Sequence, residues 1–233
     1  MSKTYRGYTR EQIAATIDHS VLKPTSTDAE IREACELAKA EQTASLCIRP
    51  MDVELAVELL AGSGVPVCTV IGFPHGTTTT EVKAFEASQA VNAGALEIDM
   101  VINISDLISG FDSAVEADIR AVVAASKRAN ELASVKVIFE TAFLTKEQIL
   151  KACHLTESAG ADYVKTSTGF ANEGATIENI RLMKAAVGER LRVKASGGVR
   201  TLDQVVDFKD AGVSRCGSSS TAAILAEFDA KAN

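Results

Sequence analysis

The sequence predicts an α/β fold: a single-domain (β/α)8 TIM barrel with a short leading helix, spanning residues 1–233. Three observations carry that prediction. Eight apolar runs of strand length alternate with amphipathic stretches of helix length. The helical stretches announce their starts with threonine-based capping boxes. An Ala-Gly step recurs ahead of three of the strands and puts their polar residues in one register. A doubly wound open sheet is the alternative, and eight strand–helix units are many for it.

Taken in order, a leading helix starts at about Thr9. The first four strand candidates are Ile17–Leu22, Ser45–Ile48, Val67–Ile71 and Leu96–Ile102. Val135–Glu140, Tyr163–Ser167, Arg192–Ser196 and Arg215–Gly217 follow. Between them Thr27-x-x-Glu30, Thr78-x-x-Glu81, Thr145-x-x-Gln148 and Thr201-x-x-Gln204 have the capping-box form. In that form a side chain and the backbone satisfy each other's free donors at a helix start. The first of these helices carries Ile31, Ala34, Cys35 and Ala38 on one face, the spacing of a helix that covers a sheet.

The repeat aligns Ala93-Gly94-Ala95-Leu96-Glu97-Ile98-Asp99 with Ala159-Gly160-Ala161-Asp162-Tyr163-Val164-Lys165, and both with Ala211-Gly212-Val213-Ser214-Arg215-Cys216-Gly217. Each glycine reads as the left-handed stop of a helix just before a strand. Asp99, Lys165 and Gly217 then fall at one position of the fourth, sixth and eighth strands, and alternate strands of such a barrel share layers. Parity agrees. Ile98, Met100 and Ile102, Val193 and Ala195, and Val137 and Phe139 form apolar sets that belong under the helices. The opposite parity turns Asp18, Cys47, Asp99, Lys136, Lys165 and Lys194 inward, where an ordinary barrel layer holds Val, Ile and Leu.

Charges inside a barrel suggest a site. Taken singly, a lysine near a strand end is most often a solvated surface group, and an aspartate most often a salt-bridge partner. Taken together, Lys165, Lys194 and Asp99 suit imine chemistry. A lysine amine attacks a carbonyl only when neutral, while its reference pKa is about 10.4. Burial and a neighbouring cation both favour the neutral form, and Lys194 on the next strand can be that cation. Asp99 can move protons.

A second cluster reads as a phosphate clamp. Ser196-Gly197-Gly198-Val199-Arg200 follows the seventh strand, and Gly217-Ser218-Ser219-Ser220 follows the eighth and opens the last helix. Glycines let backbone N–H groups approach an oxyanion, and hydroxyls with a helix N-terminus add donors. These two loops are the recurrent phosphate position of the fold. Thr168-Gly169 can close a third side.

The net charge of −7 argues against nucleic acid as a partner, so an anionic substrate needs a local site. No apolar run reaches transmembrane length, and the first ten residues lack a signal-peptide core. Five scattered cysteines without a CxxC pair suit free thiols in a reducing cytoplasm. His19, His75 and His154 are dispersed, so no metal site is expected; His154 reads as surface and His19 as a structural hydrogen-bonding residue. Cys47 reads as core filling before nucleophile.

At this point the chain resembles the deoxyribose-phosphate aldolases, class I aldolases of deoxynucleoside catabolism. The resemblance rests on Ile17-Asp18-His19-Ser20-Val21-Leu22-Lys23-Pro24, Cys68-Thr69-Val70-Ile71-Gly72-Phe73-Pro74 and Glu97-Ile98-Asp99-Met100-Val101-Ile102-Asn103. Lys136-Val137-Ile138-Phe139-Glu140-Thr141, Val164-Lys165-Thr166-Ser167-Thr168-Gly169-Phe170 and Val193-Lys194-Ala195-Ser196-Gly197-Gly198-Val199-Arg200 also carry it, so it runs along almost the whole chain. It implies reversible cleavage of 2-deoxy-D-ribose 5-phosphate to acetaldehyde and D-glyceraldehyde 3-phosphate. Lys165 then forms the imine, with Lys194 and Asp99 catalytic beside it and Asp18, Lys136 and Cys47 in support. Gly169, Gly197, Gly198, Ser219 and Ser220 hold the phosphate. No cofactor or metal is implied, and the assembly is a homo-oligomer, a dimer or tetramer. Two departures stand out. The tail Phe228-Asp229-Ala230-Lys231-Ala232-Asn233 lacks the tyrosine some relatives carry there. Arg49 is charged where relatives are expected to be neutral, and stands either at the substrate's entrance or in solvent.

Overall fold

The computed structural model describes residues 3–232. A hairpin, β1 (Thr4–Tyr5) and β2 (Tyr8–Thr9), leads into α1 (Arg10–Ala14). Strands β3 (Ile17–Val21), β4 (Ser45–Ile48), β5 (Val67–Ile71) and β6 (Glu97–Val101) make the first half of the barrel. The second half is β7 (Ser134–Ile138), β8 (Tyr163–Lys165), β9 (Arg192–Ser196) and β10 (Arg215–Ser218). The helices are α2 (Asp28–Glu41), α3 (Val53–Leu60), α4 (Thr80–Asn92), α5 (Ile104–Ser109) and α6 (Asp112–Ala129). The series ends with α7 (Lys146–Ser158), α8 (Ile177–Val187), α9 (Leu202–Asp210) and α10 (Thr221–Lys231). Strands β3 to β10 pair in parallel, and β10 returns to β3, so the sheet closes and the open-sheet alternative is excluded.

The helices begin largely where the capping boxes put them. Thr27 with Glu30, Thr145 with Gln148 and Thr201 with Gln204 form reciprocal pairs. Thr78 and Glu81 do not: α4 starts one residue later, with Thr79 as its cap. Four consecutive threonines at Thr77–Thr80 make the register ambiguous from sequence. Thr9 and Gln12 form a further box at α1. Gly94, Gly160 and Gly212 follow their helices with φ of 104°, 81° and 106°, the left-handed stop that the repeat implies.

The barrel wall separates two apolar regions. Ile98, Met100, Ile102, Val137, Phe139, Val193 and Ala195 belong to the outer core under the helices, as do Ile31, Ala34, Cys35 and Ala38 of α2. Inside the wall, among the described residues, only Cys47, Cys68 and Val70 make an apolar cluster, with Leu22 and Phe73 against it. Charged residues take the remaining interior. The hairpin escaped the sequence reading because two residues per strand carry no periodicity. Its turn has Arg6 and Gly7 at φ 49° and 88°, as a type I′ turn requires. Tyr5 and Tyr8 hydroxyls donate to Asp203 and Asp210, and Arg6 pairs with Asp207, tying the hairpin to α9.

Candidate active site

Four cations and three anions stack inside the barrel. Register sets Asp99 beside Lys136 and Lys165 beside Lys194. Lys165 Nζ and Lys194 Nζ both donate to Asp99 Oδ2 at 2.6 Å, and Lys136 Nζ donates to Asp99 Oδ1 at 2.8 Å. Below them Lys194 Nζ lies 2.5 Å from Asp18 Oδ2, a charge contact not aligned as a hydrogen bond. Arg215 bridges Asp18 and Glu97, and Glu97 meets Lys136 at 2.7 Å. Gly217 leaves room for this: a Cβ there would stand 3.1 Å from Ser196 Cβ and 3.5 Å from the Lys194 stem.

Burial alone would push Asp99 up and Lys194 down. The charges reverse both: Lys136, Lys165 and Lys194 hold Asp99 well below the usual carboxylate range, and Asp18 and Asp99 raise Lys194 above the usual lysine range. Lys136 is likewise raised despite burial, by Asp99, Cys68 and Glu97. Lys136 and Lys194 are therefore fixed cations, and Asp18 and Asp99 fixed anions. Lys165 is the cation in excess, since Lys136, Lys194 and Arg215 already match Asp18, Glu97 and Asp99 one for one.

A cavity of about 690 Å³ opens at the C-terminal ends of the strands, and Lys165 reaches it. Lys136, Lys194, Asp18, Asp99 and Cys47 do not line it; they lie beneath Lys165. Gly169, Gly197, Gly198 and Ser219 line one wall, with Arg200 and Lys23 at its edge. The three glycines have φ of 88°, 83° and 78°, a backbone that side chains rarely adopt. Among the described residues no acceptor engages the N–H groups of Gly169, Gly197, Gly198 or Ser219, which leaves them free for an anion. Ser220 stands apart from this wall: it does not line the cavity, and its N–H donates to Ser218 Oγ at 2.9 Å.

Arg49 neither gates the site nor trails into solvent: it forms a two-pronged ion pair with Asp52 at 2.7 and 3.1 Å. His19 is buried, with Nδ1 2.9 Å from Thr221 Oγ1, the structural hydrogen bond its parity suggested, and it also borders the cavity. His154 is exposed. Cys47 packs beside Cys68, whose Sγ donates to Asp99 Oδ1 at 3.2 Å. Cys47, Cys68 and Asp99 converge as potential metal donors, yet a cation there would meet three ammonium groups already on Asp99. Sequence reasoning missed Arg215, Cys68, Glu140 and Gly174, and left Glu97 out of the site. For Arg215, Cys68 and Glu97 the signal was available, since each has the inward parity of its strand.

The family model for the DeoC/LacD family aldolase matches residues 12–223. The chain belongs to the DeoC/LacD aldolase family. Among curated relatives of this DeoC/LacD aldolase, a deoxyribose-phosphate aldolase of Bacillus subtilis is 53% identical over 213 residues, covering 91% of this chain and 94% of that one. Another, from Carboxydothermus hydrogenoformans, is 51% identical over 214 residues, covering 92% and 94%. Among solved structures, the tetrameric deoxyribose phosphate aldolase of Aeropyrum pernix superposes with a TM-score of 0.88 at 31% identity, covering 95% of this chain and 92% of that one.

Proposed function

We infer that this DeoC/LacD aldolase cleaves 2-deoxy-D-ribose 5-phosphate reversibly into acetaldehyde and D-glyceraldehyde 3-phosphate, through an imine on Lys165. The observation that carries the assignment of Lys165 is its position: of the three buried lysines on Asp99, it alone reaches the cavity. The neutral amine adds to the sugar's aldehyde, and loss of water leaves an iminium. That iminium draws in the electron pair of the breaking C–C bond, so no metal or cofactor is needed for the chemistry. Asp99, 2.6 Å from Lys165 Nζ, can pass protons during addition and dehydration. Lys194, on the same carboxylate oxygen, stays cationic and disfavours a second charge on Lys165. Asp18 and Lys136 fix those groups from below. Gly169, Gly197, Gly198 and Ser219 offer the phosphate their free N–H groups, and the α10 N-terminus at Ser220 adds a favourable dipole.

A homo-oligomer in a reducing cytoplasm completes the reading. The Aeropyrum pernix relative is tetrameric, and the five cysteines here are all free and buried. Among the described residues no helix is long and apolar enough to cross a membrane. The test is borohydride reduction in the presence of acetaldehyde followed by peptide mapping. A single ethyl adduct on Lys165 is expected, and labelling elsewhere or none refutes the assignment.

A further inference from the structure

One buried acid has no part in the chemistry above. Glu140 follows β7 in the left-handed region, φ 56° and ψ 66°, where a glutamate is strained. Hydrogen bonds on either side hold it there: Phe139 N–H donates to Lys165 O at 3.0 Å and Thr141 N–H to Thr166 O at 2.9 Å. The strained backbone turns the carboxylate into the protein, where it is 2% exposed. Among the described residues it forms no ion pair. Its donors both come from Thr168, the backbone N–H at 3.2 Å and the hydroxyl through a short contact to Oε2.

That arrangement fixes the polarity of Thr168. A hydroxyl has one proton and two lone pairs. The Thr168 proton goes to Glu140, and one lone pair accepts from Phe170 N–H at 3.0 Å. Thr168 lines the cavity beside Lys165, so its single free capacity there is to accept. Resting on the imine reading of Lys165, we propose that Glu140 is a positioning residue that makes Thr168 an acceptor-only group, selecting substrates with a hydroxyl donor close to the imine carbon. The class selected is hydroxyaldehyde; acetaldehyde, with no hydroxyl, has nothing for Thr168 to read. Burial also pushes the Glu140 carboxyl upward, partly offset by the Thr168 hydrogen bonds, consistent with Thr168 donating to it.

The experiment uses Glu140→Gln and Thr168→Val in the intact enzyme, read in three ways. Cleavage of deoxyribose 5-phosphate is expected to lose about tenfold in kcat/KM in each, the scale of one hydrogen bond. Trapping of acetaldehyde on Lys165 by borohydride should stay within about twofold of the parent in both variants, and so should competitive inhibition by inorganic phosphate in Glu140→Gln. The double variant should be no worse than Thr168→Val alone, because both changes remove one interaction. Cleavage undiminished in Glu140→Gln overturns the proposal. So does trapping lost in parallel with cleavage, which marks a collapsed loop, or additive losses in the double variant. If Glu140→Gln does not fold, Thr168→Val still decides, since loss of cleavage with intact trapping supports the hydroxyl reading and its absence refutes it. No adduct on Lys165 in the parent overturns the imine reading itself, a result distinct from any of these.

Discussion

Lys165 is distinguished from its neighbours by where it ends. Lys136 and Lys194 have the same parity, the same burial and the same carboxylate partner, but their ammonium groups are enclosed by anions. Lys194→Leu tests the part played by its charge. Without that cation the acidic limb of the pH–rate profile should move to higher pH, and turnover at neutral pH should fall roughly a hundredfold, the scale of one misplaced proton transfer. An unmoved profile would reject the electrostatic role. The parity rule made the inward set legible: Asp18, Cys47, Asp99, Lys136, Lys165 and Lys194 are all buried in the interior. It could not say which lysine meets solvent. That depends on how far each stem extends past the strand end, and on Gly217 leaving space for Lys194 beneath.

At the scale of elements, the glycine loops are held by a contact far away in sequence. A Cβ on Gly174 would fall 2.0 Å from the carbonyl oxygen of Gly197, and the Ala175 N–H donates to Ser196 O at 2.9 Å. The loop after β8 therefore braces the loop after β9, which forms one wall of the cavity. Gly174→Ala should displace Gly197 and Gly198 and raise KM for the phosphorylated substrate about tenfold, a clash costing on the order of 1–3 kcal/mol. The rate of imine trapping with acetaldehyde should hold; steady-state and trapping assays together check this. Outside the barrel, Lys83 of α4 is fully buried and pairs with Asp118 of α6 at 2.6 Å. Its stem also lies 3.0 Å from where a Cβ on Gly72 would stand. Lys83→Met strands Asp118 in the helix interface and should cost about 3–5 kcal/mol in urea unfolding, much of it recovered by adding Asp118→Leu. Neither feature was legible in sequence. Lys83 sits in an amphipathic pattern where a lysine ordinarily marks the solvated face, and Gly174 lies in a loop without a motif.

The whole molecule was legible because local signals agree with closure: capping boxes start α2, α7 and α9, left-handed glycines precede β6, β8 and β10, and the barrel strands set apolar residues under the helices. The interior follows a different rule, since charge balance takes the place of apolar packing there, and that has a consequence for acid stability. His19, buried at the barrel's rim against Thr221, has its pKa lowered to about 4, chiefly by burial and against a hydrogen bond to Ser218. Its unfolded value is about 6.5. On acidification the unfolded chain therefore takes up this proton first. The contribution of His19 to stability is constant above about pH 6.5, falls through the window down to about 4, and by linkage loses on the order of 3 kcal/mol there. Asp18 and Asp99, held low by their lysines, begin to matter only as their unfolded forms protonate, nearer pH 4. Glu140 acts in the opposite sense, because burial raises its folded value and lets the native state bind a proton as pH falls. Urea unfolding of the parent and of His19→Gln at pH 7 and at about pH 4.5 separates these terms. The parent should lose stability across that interval, and His19→Gln, with no proton to bind in either state, should lose about 2–3 kcal/mol less. An equal loss in both would move the acid sensitivity from His19 to the ionic stack.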